Sequence, residues 1–150
     1  MQVVPLLAVE ATANDHTYYL HCKNAHHVTF LVGIGTCDTA TTITVLEAPS
    51  AATTSAEAIP FHYRLSGAAS AGSDTWGAVT SATSTGFALT ATTDNGKFIL
   101  IDVDPSDLTD GDHYLYVKTA ATAYSTAGAL TAVAFLEGSR YIQLNPNSST

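Results

Sequence analysis

The chain predicts an all-β fold, an antiparallel β-sandwich of about nine short strands, on three observations. Runs rich in Val, Ile, Thr, Tyr and Phe recur along it, broken about every ten residues by Gly, Asn, Asp or Pro. Helix signals are nearly absent. Hydrophobic residues make up 46% of the chain and charged residues 12%, about half the usual charged share. A disordered chain shows the opposite balance, and 150 residues suffice for one domain with its own core. Residues 1–150 are therefore read as a single sandwich domain. The loop lengths admit an immunoglobulin-like Greek key or a jelly roll.

In chain order, the segment QVVPLLAVEA comes first, apolar and interrupted by Pro5. It is either the first strand of the domain's own sheet or an arm over 1–12 that adds to a neighbour's sheet edge. In the second case Val3, Val4, Leu6 and Leu7 would touch the partner. Strands are then expected at Thr17–Cys22, His27–Val32, Thr41–Glu47, Ile59–Leu65, Gly86–Ala91, Lys97–Val103, His113–Lys118, Leu130–Glu137 and Arg140–Leu144. Within Ile59–Leu65, Ile59, Phe61, Tyr63 and Leu65 share a face, and Pro60 places a strand start or an edge there. Lys97–Val103 is apolar on nearly both faces and belongs in the middle of a sheet.

Asp94-Asn95-Gly96 tolerates the positive φ of a tight turn, so the flanking strands are expected to pair as a hairpin. Asp104 followed by Pro105 signals one short helical turn near 104–108. Leu108, Asp110 and Tyr114 have the spacing of a tyrosine corner, which a plain turn before an aromatic strand also has. The stretches 47–60 and 67–86 consist largely of small residues and read as long surface connections. Trp76 interrupts the second, either as a plug on the sandwich or as a partner contact. The polar tail 145–150 is expected to fray.

The segment HCKNAHHVTFLVGIGTC holds both cysteines and three of the six histidines. Structural zinc wants two close ligand pairs, and Cys22 and Cys37 each stand alone. His26 and His27 point to opposite faces of an extended strand. The arrangement left open is Cys22 and Cys37 with one of those histidines. A Cys22–Cys37 disulfide is the alternative, and a reducing compartment favours two free thiols. The segment itself reads as a hairpin turning at Lys23-Asn24-Ala25, with Val28, Phe30 and Val32 on one side. Asp102, Asp104, Asp107, Asp110 and Asp112 can be read as a hard-cation (calcium) or general acid/base cluster, but they lack the EF-hand spacing, and turn chemistry is the favoured reading. Neither a Gly-x-Ser-x-Gly elbow nor a phosphate-cradling glycine loop occurs. The expectation is no enzyme, no metal and no cofactor.

With 13 acidic and 5 basic residues the formal charge is −8, which disfavours nucleic acid and anionic membranes as partners. The N-terminal segment lacks a basic leader, and the expectation is a protein made in a cytoplasm.

A succession of segments carries a further resemblance. An early strand pair ends in HHVTFLVGIG and is followed by TITVLEA, a small-residue loop and IPFHYRLSG. SDTWGAVTS, GFALTATTDNGKFILIDVDPSDL, GDHYLYVK and AFLEGSRY complete the series. Across about residues 15–141 this resembles the small β-rich virion proteins encoded near the capsid genes of tailed bacteriophages. The features in common are Phe61-His62-Tyr63-Arg64, Asp74-Thr75-Trp76, Asp107-Leu108 and Arg140-Tyr141. The resemblance implies a capsid decoration, or cement, protein that binds the major capsid protein on the outside of the shell, singly or as a homo-oligomer. It equally implies a tail, neck or fibre component. A carbohydrate-binding sandwich, stacking sugars on Trp76 or on Tyr18 and Tyr19, is the reading from a different class.

Overall fold

The computed structural model describes residues 1–10, 16–36, 40–52, 54–67, 75–109, 111–119 and 130–138, with backbone alone for 7–10. Their strands are β1 (Gln2–Glu10), β2 (Leu20–His21), β3 (His27–Ile34), β4 (Thr41–Ala48), β5 (Glu57–Ile59) and β6 (Phe61–Leu65), then β7 (Thr80–Ala82), β8 (Phe87–Leu89), β9 (Phe98–Val103), β10 (Tyr114–Thr119) and β11 (Leu130–Glu137). Two antiparallel sheets form. The first runs β1-β11-β3-β9-β6-β7; the second runs β2-β10-β4-β5, with β8 also on β4.

The pairing is nested. β1 pairs β11, β2 pairs β10, β3 pairs β9, and β4 pairs both β5 and β8. A long hairpin of that kind, wrapped so that successive strands alternate between sheets, is a jelly roll. This decides between the two connectivities the sequence allows. β6 and β7 are an excursion between β5 and β8 that widens the first sheet beyond β9.

Each main strand buries alternate residues, as period-two patterning requires. Val28, Phe30 and Val32 of β3, Ile99 and Ile101 of β9, Ile43 and Val45 of β4, and Leu115 of β10 are at most 2% exposed. Burying such a side chain contributes about 1.5–3 kcal/mol, and they form one continuous core between the sheets. β9 lies between β3 and β6, in the middle of the sheet as expected; Ile99, Ile101 and Val103 face the core, while Phe98 and Leu100 lie on the outer face.

Two expected hairpins are instead passages between sheets. β8 pairs β4 in the second sheet, while β9 pairs β3 and β6 in the first. The turn between them is held by Asp94, whose carboxylate accepts from Thr90 N at 2.7 Å and Lys97 Nζ at 2.8 Å. Gly96 does take a positive φ of 71°, but its amide donates to the Ile34 carbonyl at 2.9 Å, delivering the chain to the first sheet. Similarly, β2 pairs β10 and β3 pairs β11 and β9. Ala25 N closes a turn on the Cys22 carbonyl, and His26 N reaches the Glu137 carbonyl, both at 2.9 Å.

Pro60 separates β5 from β6, so the single strand expected over Ile59–Leu65 switches sheets at the residue that lacks an amide proton. Gly86 has φ 88° at the entry to β8, and a Cβ there would collide with the Ile43 carbonyl. The connection 47–60, read as a surface loop, carries the end of β4 and β5, which makes the local hairpin with it. The connection 67–86 carries β7. The expected helical turn is present at Pro105–Asp107, capped by the Asp104 side chain. Arg140–Leu144, the tail 145–150, Cys37 and Asp110 lie outside the described residues. Of the other two residues with tyrosine-corner spacing, Leu108 packs against the core and Tyr114 lies on His21 at 4.9 Å between ring centroids.

Candidate functional site

The outer face of the six-stranded sheet carries an apolar band that crosses four strands. Register places Val3 beside Phe135, Pro5 beside Val133, Val133 beside Leu31, and Leu31 beside Leu100. Leu31, Leu100, Val133 and Phe135 are half-buried by their neighbours, and Val3 and Phe98 at the margins are 52% and 39% exposed. Phe98 lies over Gly33, where an added Cβ would approach its ring to 3.1 Å and Thr131 Oγ1 to 2.5 Å. The glycine inside β3 therefore gives the aromatic ring its seat.

Of the residues expected to touch a partner, Val3 faces outward from β1 in this band. Leu6 is 1% exposed and Val4 packs on the core, so these two are structural, because β1 is the first strand of the domain's own sheet and alternates its sides. The Leu7 side chain lies outside the described residues. Trp76 is 39% exposed and bridges to Ser66 at the far edge of the sheet, beyond β6.

Two clefts share Asp104, and the smaller borders the outer face of the first sheet at Asp102 and His62. The larger, about 680 Å³, is lined by Cys22, Lys23, His26, Asp104 and His113 among others. The smaller, about 470 Å³, has Ile59, Pro60, Phe61, Ala82, Val103 and Leu108 as apolar lining. Its polar lining includes His27, His62, Asp102, Asp104 and Asp107. Asp102 accepts from Thr29 Oγ1 at 2.8 Å and pairs with His27 Nε2 at 3.2 Å. Hydrogen bonds from the Ser106 amide and hydroxyl hold the Asp104 carboxyl below its usual range. The wall is anchored from beneath: buried Glu47 accepts from Thr109 N at 2.8 Å and Thr109 Oγ1 at 2.7 Å, tying the segment after the Pro105–Asp107 turn to β4.

Among the described residues no group of three or more His, Cys, Asp or Glu is arranged to hold a metal ion. His27 turns to the outer face and pairs with Asp102, while Cys22 is buried and its thiol donates to the His113 carbonyl at 3.2 Å. Burial, with the Glu47 carboxylate adding to it, pushes that thiol up to about 12. At about pH 8 the thiolate fraction of Cys22 is then about 10⁻⁴. Native protein treated with iodoacetamide should carry no label on the Cys22 peptide by mass spectrometry, and unfolded protein should carry full label; equal labelling in both states would contradict the burial.

The outer face of the second sheet is aromatic where β10 meets the segment 16–21. Tyr116, 1% exposed, is covered by His16 and Tyr19 with centroids at 5.5 and 5.0 Å, and Tyr18 is 73% exposed. His21 lies 6.5 Å from the His113 ring. Burial, then His113 and Lys23, hold its pKa below the ordinary histidine value. An unfolded chain then takes up this proton at higher pH than the folded one, so stability falls as pH drops through about 6.5. The urea midpoint should decrease from about pH 7.5 to about pH 5.5, and His21→Asn should lessen the decrease; an unchanged decrease would remove His21 as a cause.

Comparison of the chain with models of known protein families, with curated proteins and with solved structures finds no match in any of the three.

Proposed function

We propose that this domain is a non-enzymatic structural protein of a tailed-phage virion, a decoration protein that binds the outer surface of the capsid shell through its major capsid protein and stabilises it. The observation that carries the proposal is the apolar band on the outer face of the six-stranded sheet. Contiguous apolar surface on a sheet face marks a protein interaction site. The resemblance of the sequence to phage virion proteins supports a capsid protein as the partner. Of its motifs, Phe61 to Arg64 lie in β6, Trp76 bridges to Ser66 just after β6, and Asp107-Leu108 border the smaller cleft; Asp74 and Arg140-Tyr141 lie outside the described residues.

Jelly rolls serve both capsid and lectin domains, so the topology is compatible with the reading without singling it out. The charge of −8 fits the outside of a shell better than contact with packaged DNA. The test is to mix purified protein with undecorated capsids and measure saturable binding together with a rise in shell melting temperature. Electron microscopy of the decorated particle separates a shell location from a tail, neck or fibre location by position and copy number.

Tyr18, 73% exposed and next in sequence to Tyr19, favours a second reading as a sugar-stacking module. A glycan array without a binder would remove it, as would glycan binding indifferent to both Tyr18→Ala and Trp76→Ala.

A further inference from the structure

We infer that the cleft of about 470 Å³ at the end of the first sheet is a receptor for one arginine side chain of a partner polypeptide. The inference rests on the virion reading only for the identity of that partner. The cleft combines two chemistries that match the two parts of an arginine. Ile59, Pro60 and Leu108, which are not fully buried, offer an apolar surface suited to a methylene stem. Asp102, Asp104 and Asp107 bring three carboxylates to the same space, with the imidazoles of His27 and His62 beside them. A guanidinium presents five donors in a rigid fork, whereas an ammonium is a compact point charge, so carboxylates spread around one cleft suit arginine better than lysine.

The site is also prepared. Asp104 is held ionised by its two bonds from Ser106, and Asp102 is oriented by Thr29 and His27. The turn bearing Asp104 and Asp107 is followed at once by Thr109, which Glu47 anchors through two hydrogen bonds. A guest therefore meets carboxylates already placed, which lowers the ordering cost of binding. Position strengthens the case. Asp102 and His62 are register partners on the same outer face as the apolar band, two residues along from Leu100 and Arg64. A partner seated on the band and offering a basic residue at its margin would reach the cleft without rearrangement.

The experiment is an ¹H–¹⁵N NMR titration of the full chain with the blocked peptide acetyl-Gly-Arg-Gly-amide, and in parallel with the same peptide carrying neutral citrulline. The arginine peptide is expected to give saturable shifts at millimolar concentration, centred on the amides of Phe61, His62 and Asp102 to Leu108. Citrulline should give none. The Asp102→Asn/Asp107→Asn variant should bind about tenfold more weakly, as expected for the loss of two partly exposed ion pairs. Its retained spectral dispersion reports that it is folded, and Asp107→Asn alone, at an exposed residue, gives the same direction of change.

Equal shifts from citrulline, shifts centred elsewhere, or no saturable shift would overturn the inference. Peptide binding without any binding to capsid shells would leave the cleft standing and remove the virion reading. Shell binding with no peptide binding would do the reverse.

Discussion

Phe30→Ala is expected to destabilise the domain by about 3–5 kcal/mol, and Phe98→Ala by no more than about 1 kcal/mol. The two residues lie on adjacent strands of one sheet and differ in the face they occupy. Phe30 is fully buried between the sheets, and Phe98 is 39% exposed over Gly33 on the outside. Removing the first leaves a cavity bounded by both layers, which cannot close without moving one sheet against the other. Removing the second leaves a space open to water. Against a typical total of about 5–15 kcal/mol, the loss at Phe30 is a large share. Urea unfolding of both variants checks this, and comparable losses would mean that the inner and outer faces have been assigned wrongly.

The largest functional effect is expected from Leu31→Glu/Leu100→Glu. These side chains are register neighbours at the centre of the apolar band, and neither belongs to the core between the sheets. A partner closing over this band would have to bury two carboxylates without counter-charges, which is far costlier than losing the contacts alone. Shell affinity should fall on the order of a hundredfold or more, with a change in folding stability of no more than about 2 kcal/mol. Thr42→Glu, on the outer face of the second sheet, should leave affinity unchanged. Co-sedimentation titrations with undecorated capsids make the comparison; retained binding of the double variant would move the interface to another surface.

Much of the strand content was legible in the sequence, and the pairing was not. Leu130–Glu137 is expected and found over the same residues, because alternation of Leu130, Ala132, Ala134 and Leu136 with polar or outward positions is a property of one segment. Partner choice is a property of two. The Asn95-Gly96 turn satisfies the φ requirement equally well when the chain returns to its own sheet or enters the other one, and the amide that decides the matter bonds to Ile34, some sixty residues upstream. In a jelly roll most successive strands lie in opposite sheets, so reading adjacent strands as hairpins fails at both β2 to β3 and β8 to β9.

The short strands β5 and β7 carry Glu, Ala, Thr and Ser, residues that also populate loops, and only their ladders on β4 and β6 reveal them. The candidate sites were legible in part for the same reason. Val3 could be picked out as a contact residue, but the band it belongs to draws on Leu31, Leu100, Val133 and Phe135 from three other strands. Asp102, Asp104 and Asp107 stood out as a cluster in the sequence. The residues that make their surroundings a cleft, Pro60, Phe61 and Ala82, come from β6, β7 and the sheet switch, which no local spacing connects to them.

The most direct test of the central claim is the addition of the purified full chain to undecorated capsids, followed by sedimentation and differential scanning calorimetry. Saturable co-sedimentation at a fixed copy number per shell, with a higher shell melting temperature that grows with occupancy, is the predicted result. Absence of association at concentrations well above those at which decoration proteins would saturate a shell, with an unchanged melting temperature, would contradict it.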